Sequence, residues 1–327
     1  MSGTYAGKNV FALFGIESTF NTPVSTTKDI GVISGISPDL NNNNIQVRSI
    51  GDREVCANVA GNFDATLGID GTLNSGAVFE LMFGQSTDTE TTGDYTHTFV
   101  DRGTLELLNT ASSFTMSENY DSTTDVVNTY SGCKINSLEV SVETGGTLNF
   151  SAEVLASSLA VTSSAGTEVL TSTSKLAGFN ATLSTGDAGS EATVGLTKNV
   201  SVSFGQNIDP ADVKAIGSRE NQDLVEKNMD VTVTFTKSFA NSTEEQRFLG
   251  GTSPSTGTPT ATSLILSVNN GVALGSGRVE FYVKLSGGQY ESTNRTVSTD
   301  GIVEETFNYT FGNIEDVYFV DAVASYF

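Results

Sequence analysis

The stretch "KINSLEVSVETGGTLNFSAEVLA" (residues 134–156) decides the fold class. Leu138, Val140 and Val142 alternate with polar residues. Gly145 and Gly146 then break the run, and Leu148, Phe150, Ala152 and Val154 resume it. A period of two places one side chain in the core and the next in water, which is a strand with one wet face. The paired glycines supply the turn of a hairpin. "RVEFYVKLSGGQYES" (278–292) repeats the pattern through Val279, Phe281, Val283 and Leu285. "EETFNYTFGNIEDVYFVDAVASYF" (304–327) is apolar in both phases and predicts strands buried on two sides. With 37% apolar and 17% charged residues in 327, the chain predicts a mainly β protein of short strands and polar turns.

A second pattern concerns organisation. "VRSIGDREVCANVAGNFDATLGIDG" (47–71) returns as "VKAIGSRENQDLVEKNMDVTVTFTK" (213–237). Aligned without gaps at a spacing of 166 residues, positions 50–84 hold nine identities in 35, including Ile50/Ile216, Gly51/Gly217, Arg53/Arg219, Glu54/Glu220 and Asp64/Asp230. A register held this long reads as an internal duplication. It predicts two domains, 1–165 and 166–327. Each should have a strand leading into a short helix, "NSGAVFELMFG" (74–84) and "NSTEEQRFLGG" (241–251). In the second, Ser242 is the expected N-cap, Glu245 its capping-box partner and Gly250 the stop. Polar runs at 85–95, 117–129, 157–175 and 250–263 read as hairpin tips and connectors, with the domain junction in the third.

The net charge is −22, with 19 acids in each half, so the negative charge is spread along the chain. Such a surface repels phosphate and argues against a nucleic-acid grip. No segment approaches the ~20 apolar residues of a membrane helix and no export signal is visible, so neither membrane insertion nor secretion is expected. Cys56 and Cys133 read as unpaired residues, a single bridge between them being the alternative.

Little here points to catalysis. His97 is the only histidine, and it lies in a strand-like run as a structural imidazole. "DTETTGD" (88–94) places Asp88, Glu90 and Gly93 at calcium-loop spacing, but Phe99 stands where a bidentate Glu is needed, so the loop reads as solvated. No phosphate-binding or dinucleotide glycine motif is present. We expect no enzyme activity, cofactor or metal.

Four blocks in order resemble the tail tube (major tail) proteins of long-tailed double-stranded DNA viruses. They are "FGIESTFNTPVST" (14–26), with Asn21 where that family often has Gly; "RSIGDREVCANVAGNFDATLGIDG" (48–71); "VNTYSGCKINSLEVSVETGGTLNFSAEVLAS" (127–157); and "IVEETFNYTFG" (302–312). The resemblance implies tandem tail-tube-like β-sandwich domains, each with a flanking helix. It also implies self-assembly into stacked rings whose strands close a lumen-lining β-barrel. Further implications are a place in the virion tail after assembly in the host cytoplasm, contacts with tail terminator, tape-measure and tail-tip proteins, and passage of genome DNA without specific binding. Rings of the family are usually sixfold. Two domains per chain then predict a trimeric, pseudo-hexameric ring, with a hexamer of whole chains as the alternative. Hairpin alternation nominates Glu139, Ser141, Glu143, Thr147, Asn149 and Ser151 as lumen-facing, the alternative being bulk solvent outside the ring. Arg53, Glu54, Arg219 and Glu220 are the candidate ring contacts. Other readings are a surface adhesin or S-layer-type β-sandwich and the tube of a contractile injection system.

Overall fold

The structure, a computed structural model, describes residues 7–51, 53–84, 86–101, 113–121, 125–169, 175–253, 261–297 and 301–327. In chain order the first half forms β1 (Val10–Ile16), β2 (Val32–Asn41), β3 (Ile45–Val47), β4 (Ala57–Val59), β5 (Asp64–Thr72), helix α1 (Ala77–Phe83), β6 (Thr87–Thr91), β7 (Asp94–Asp101), β8 (Phe114–Tyr120), β9 (Val126–Glu143), β10 (Asn149–Ala156) and β11 (Ser158–Thr162). The second half forms β12 (Ala181–Gly186), β13 (Ala192–Thr193), β14 (Thr197–Gly205), β15 (Asp230–Ser238), helix α2 (Thr243–Leu249), β16 (Thr262–Asn269), β17 (Glu280–Thr296), β18 (Glu304–Phe311) and β19 (Asn313–Asp321). The protein is mainly β, and its sheets are open and antiparallel.

Three sheets share two long strands. The first runs β1–β8–β9–β11. The second, of eight strands, runs β2–β5–β10–β9–β14–β15–β18–β17. The third runs β13–β12–β16–β17–β19–β7–β6. Strand β9 leaves the first sheet for the second near Gly132, and β17 leaves the third for the second near Gly287, with φ of 60° and 68°. Only glycine takes that conformation without cost, so these positions turn the chain between sheets.

Pairing in the first half therefore recurs in the second. What β5 is to β2 and β10, β15 is to β14 and β18. The helices follow the same strand, α1 after β5 and α2 after β15. Even the bulges recur: Ser34 is skipped in β2 where Lys198 is skipped in β14, and Asn136 in β9 where Glu291 is in β17.

One continuous core lies between the eight-stranded sheet and the other two. Leu138, Val140, Val142, Leu148, Phe150, Ala152 and Val154 are all buried, as the alternation predicts. Helix α1 plugs the seam between the halves. The Phe79 ring lies 5.2 Å from Phe281, and the Phe83 ring meets Phe204 edge-on at 5.5 Å.

Several local expectations change. The hairpin expected at 85–95 is formed by β6 and β7, and its tip is tight, because Thr92 and Gly93 turn the chain in two residues with φ of 51° and 89°. Within 157–175, residues 158–162 form β11 on the edge of the first sheet; residues 170–174 and, in the later connector, 254–260 lie outside the described residues. Helix α2 does end at Gly250, whose φ is 69°. Its Ser242 makes no side-chain cap: Ser242 Oγ accepts from Gln246 Nε2, and Glu245 is drawn 2.8 Å from Arg295. In β18 only one face is fully buried; Thr306, Asn308 and Thr310 on the other are half-buried.

Candidate functional site

The eight-stranded sheet has one apolar and one polar face. Registers across β10, β9 and β14 put Ser151, Glu139 and Ser203 in one row, and Asn149, Ser141 and Ser201 in the next. Glu139, Glu143 and Ser151 are exposed, and Ser141 and Asn149 half-buried. Five of the six nominated residues thus share the polar face, which continues over both halves. Thr147 stands apart in the hairpin turn, where it bridges to Ala177 and donates to Asn149 Oδ1 at 3.0 Å.

This sheet has two open ends, β2 and the last stretch of β17. Its middle joint, β9 with β14, is where the halves meet, running from Asn199 opposite Glu143 to Gly205 opposite Ser137. Beyond β14, the loop 206–229 folds back over the first half. Arg219 donates through Nε to the Gly61 carbonyl at 2.9 Å and through Nη2 to Asn42 Oδ1 at 2.8 Å. The Arg219 carbonyl accepts from Phe63 N at 2.7 Å, and Glu220 from Asn21 Nδ2 at 3.2 Å. Lys214 Nζ lies 2.8 Å from Asp64. Arg219 and Glu220 are therefore contacts between the two halves, whereas Arg53 and Glu54 are exposed on the corresponding first-half loop.

That loop, 42–63, is built like its counterpart. Asn43 and Asn207 both take left-handed backbone, φ 44° and 53°. Asn43 donates to the Asn62 carbonyl and the Asp64 carboxylate; Asn207 donates to the Asn228 carbonyl and the Asp230 carboxylate. Gly51 and Gly217 turn at 92° and 93°, leaving Ile50 and Ile216 fully exposed at the tips. The sequence reading missed Asn43, Asn207 and the Lys214–Asp64 pair. The signal was present: Asn is enriched in left-handed backbone, and a basic residue recurs at 48 and 214 as an acid does at 64 and 230.

The titratable groups elsewhere hold the fold together. His97 is buried, with Nδ1 2.8 Å from Asp88 and Nε2 3.3 Å from Asp321. Burial lowers its pKa, but hydrogen bonds to the two carboxylates outweigh this and raise it. Burial, then the nearby Asp88 charge, push Glu80 up to about 7. Asp94 accepts from the backbone N–H groups of Gly275, Ser276, Gly277 and Arg278 at 2.7–3.1 Å. Burial opposes its ionisation, yet these donors hold its carboxyl below the usual range. Asp88 and Asp94 of the calcium-like run are thus engaged by protein groups. Among the described residues no three His, Cys, Asp or Glu side chains gather as a metal site. Cys56 is exposed and Cys133 buried, and no disulfide joins the two.

No curated protein matches the chain. The family described as "Phage tail tube protein" matches residues 7–311, the span that holds every described strand up to the end of β18. A β-rich chain with a polar-faced sheet open at both ends is what a self-assembling tube subunit requires, and this protein belongs to the phage tail tube protein family, structural proteins of the virion tail.

Proposed function

We propose that the chain is a duplicated ring subunit, 1–165 and 166–327 being equivalent tube domains, and that three chains close a pseudo-hexameric ring that stacks into the tail tube. One observation carries this reading. Strand β14 lies against β9 within the chain, and β2 and the end of β17 are the equivalent strands, each with one edge unpaired among the described residues. A second copy offers each its missing neighbour, and closure removes the exposed edges. Eight strands from each of three chains make a barrel about 50 Å across at the backbone, from 4.8 Å strand spacing and 35–45° tilt.

The polar face is then the channel wall. Acids and small hydroxyl or amide side chains repel phosphate and offer few holds, so genome DNA slides past during ejection. Terminator, tape-measure and tip proteins would meet the tube at its ends and within its bore.

Electron microscopy of the purified protein tests the stoichiometry. Stacked rings of three chains around a channel are expected. Rings of six whole chains would overturn the trimer, and a chain that never assembles would overturn the tube. Replacing Glu139 and Glu143 with Lys, both at exposed positions, should leave tubes intact and slow genome delivery. Unchanged infectivity would remove these acids from the channel wall.

A further inference from the structure

The joint between the halves is a template for the joint between chains. Its strand register and its loop contacts can be carried across residue by residue, because the two halves share their bulges and loop conformations. Across β5 and β15, Asp39 takes the place of Ser203. Through β10 and β18, Asn294 takes the place of Glu139. Ser203 is opposite Glu139 within the chain, so Asp39 belongs opposite Asn294 of the next chain, and Asn41 opposite Ser292.

The loop contacts follow. Arg48 takes the place of Lys214, and Asp230 that of Asp64. Within one chain Asp230 accepts from Asn207 as Asp64 does from Asn43, but no Lys or Arg among the described residues reaches it. Among the described residues Arg48 donates to Gln46 Oε1 and forms no ion pair, and Arg53 has no hydrogen-bond or ion-pair partner. Among the described residues of segment 42–61, all but Val55 and Gly61 are exposed. It carries the same turns as a loop that, in the second half, is clamped down. Its two arginines are balanced by Asp52 and Glu54, so the segment is neutral on a protein of charge −22.

We infer that segment 42–63 is a clasp that closes on the second half of a neighbouring copy of this chain, with Arg48 on Asp230 and Arg53 on the Lys227 carbonyl. The inference rests on the ring reading above. The clasp also receives Met229 N on the Arg53 carbonyl, as Phe63 N meets Arg219. It sets the register of β2 on β17, which side-chain alternation alone leaves free to slip by two residues. Pro38, opposite Arg295, contributes no N–H to that ladder, so a loop contact is needed to hold what the strands hold weakly.

Two experiments test it. Arg48→Asp and Asp230→Arg, each alone, should raise the concentration needed for assembly by about tenfold, since each sets like charges across a half-exposed contact; the double variant should recover most of the loss. In a Cys56→Ser background, Asp39→Cys protein mixed with Asn294→Cys protein should cross-link on mild oxidation of assembled tubes. Asp39→Cys mixed with Ser292→Cys should not. If wild-type chains form no tubes, the ring reading fails and the clasp with it. If they form tubes while Arg48→Asp assembles normally, or the cross-link favours Ser292→Cys, the clasp is wrong and the tube stands.

Discussion

Asn21 shows how one residue answers to local backbone. It stands where the family often has Gly, and its φ is 56°. Asn is the side chain that tolerates this region best. Its Oδ1 accepts from Ser131 and Ser158 at 2.8 and 3.1 Å, beside the turn at Gly132. Glu17, buried next to it, accepts from Ser113, Thr115, Asn21 N and Gly132 N at 2.7–3.0 Å. The opening block "FGIESTFN" thus anchors the place where β9 changes sheet. We expect Asn21→Gly to cost under about 1 kcal/mol, Asn21→Val about 1–2 from backbone strain, and Glu17→Ala about 2–4 from stranded buried donors. Denaturant unfolding measures all three. A Val variant as stable as the Gly variant would contradict the backbone argument.

At the scale of elements, α1 and the β6–β7 hairpin are coupled by charge. Glu80 faces Asp88, His97 and Lys28. His97 joins Asp88 to Asp321, which also accepts from Tyr326 OH at 2.9 Å. Both shifted groups bind protons more tightly in the folded chain. Their stabilisation is full below pH 4.5, falls as Glu80 ionises up to about pH 7, and falls further as His97 loses its proton above 6.5. Melting temperature should therefore decline from pH 5 to pH 8 by a few degrees. Glu80→Gln should flatten the slope and raise the pH 8 value; an identical slope in the variant would show that another group is responsible.

This element was only partly legible beforehand. Its strands follow from alternation, and α1 from the run ending at Gly84. That β7 pairs with β19, more than two hundred residues away, has no local signature. Nor does the seating of Phe79 on Phe281. Period-two patterns name the wet face but not the neighbour, and the same holds for Ser141 and Asn149: their face was readable, their row partners in β14 were not. Ser242 failed as a cap for the opposite reason: its box partner Glu245 had a stronger attraction in Arg295.

For the whole molecule, the joint within the chain and the joint proposed between chains differ in chemistry. Inside the chain the seam is apolar, with Phe79 and Phe83 facing Phe281 and Phe204. On α2 the residues in those places are Glu245 and Leu249, and Leu40 replaces Phe204 on β2. A seam that is always covered tolerates aromatic rings, whereas one open to water before assembly must stay soluble.

Divergence of the halves reaches the polar face too. Asp39, Asp70, Glu139 and Glu153 have Ser203, Thr236, Asn294 and Asn308 as their second-half equivalents. A bore built from three such chains has six-part geometry but uneven charge, three more acidic staves between three less acidic ones. Its electrostatic repeat is 120°, not 60°. A plug or cap with six identical feet would find every second socket mismatched, while one with three would seat in a single azimuth and pass that orientation down the length of the tail.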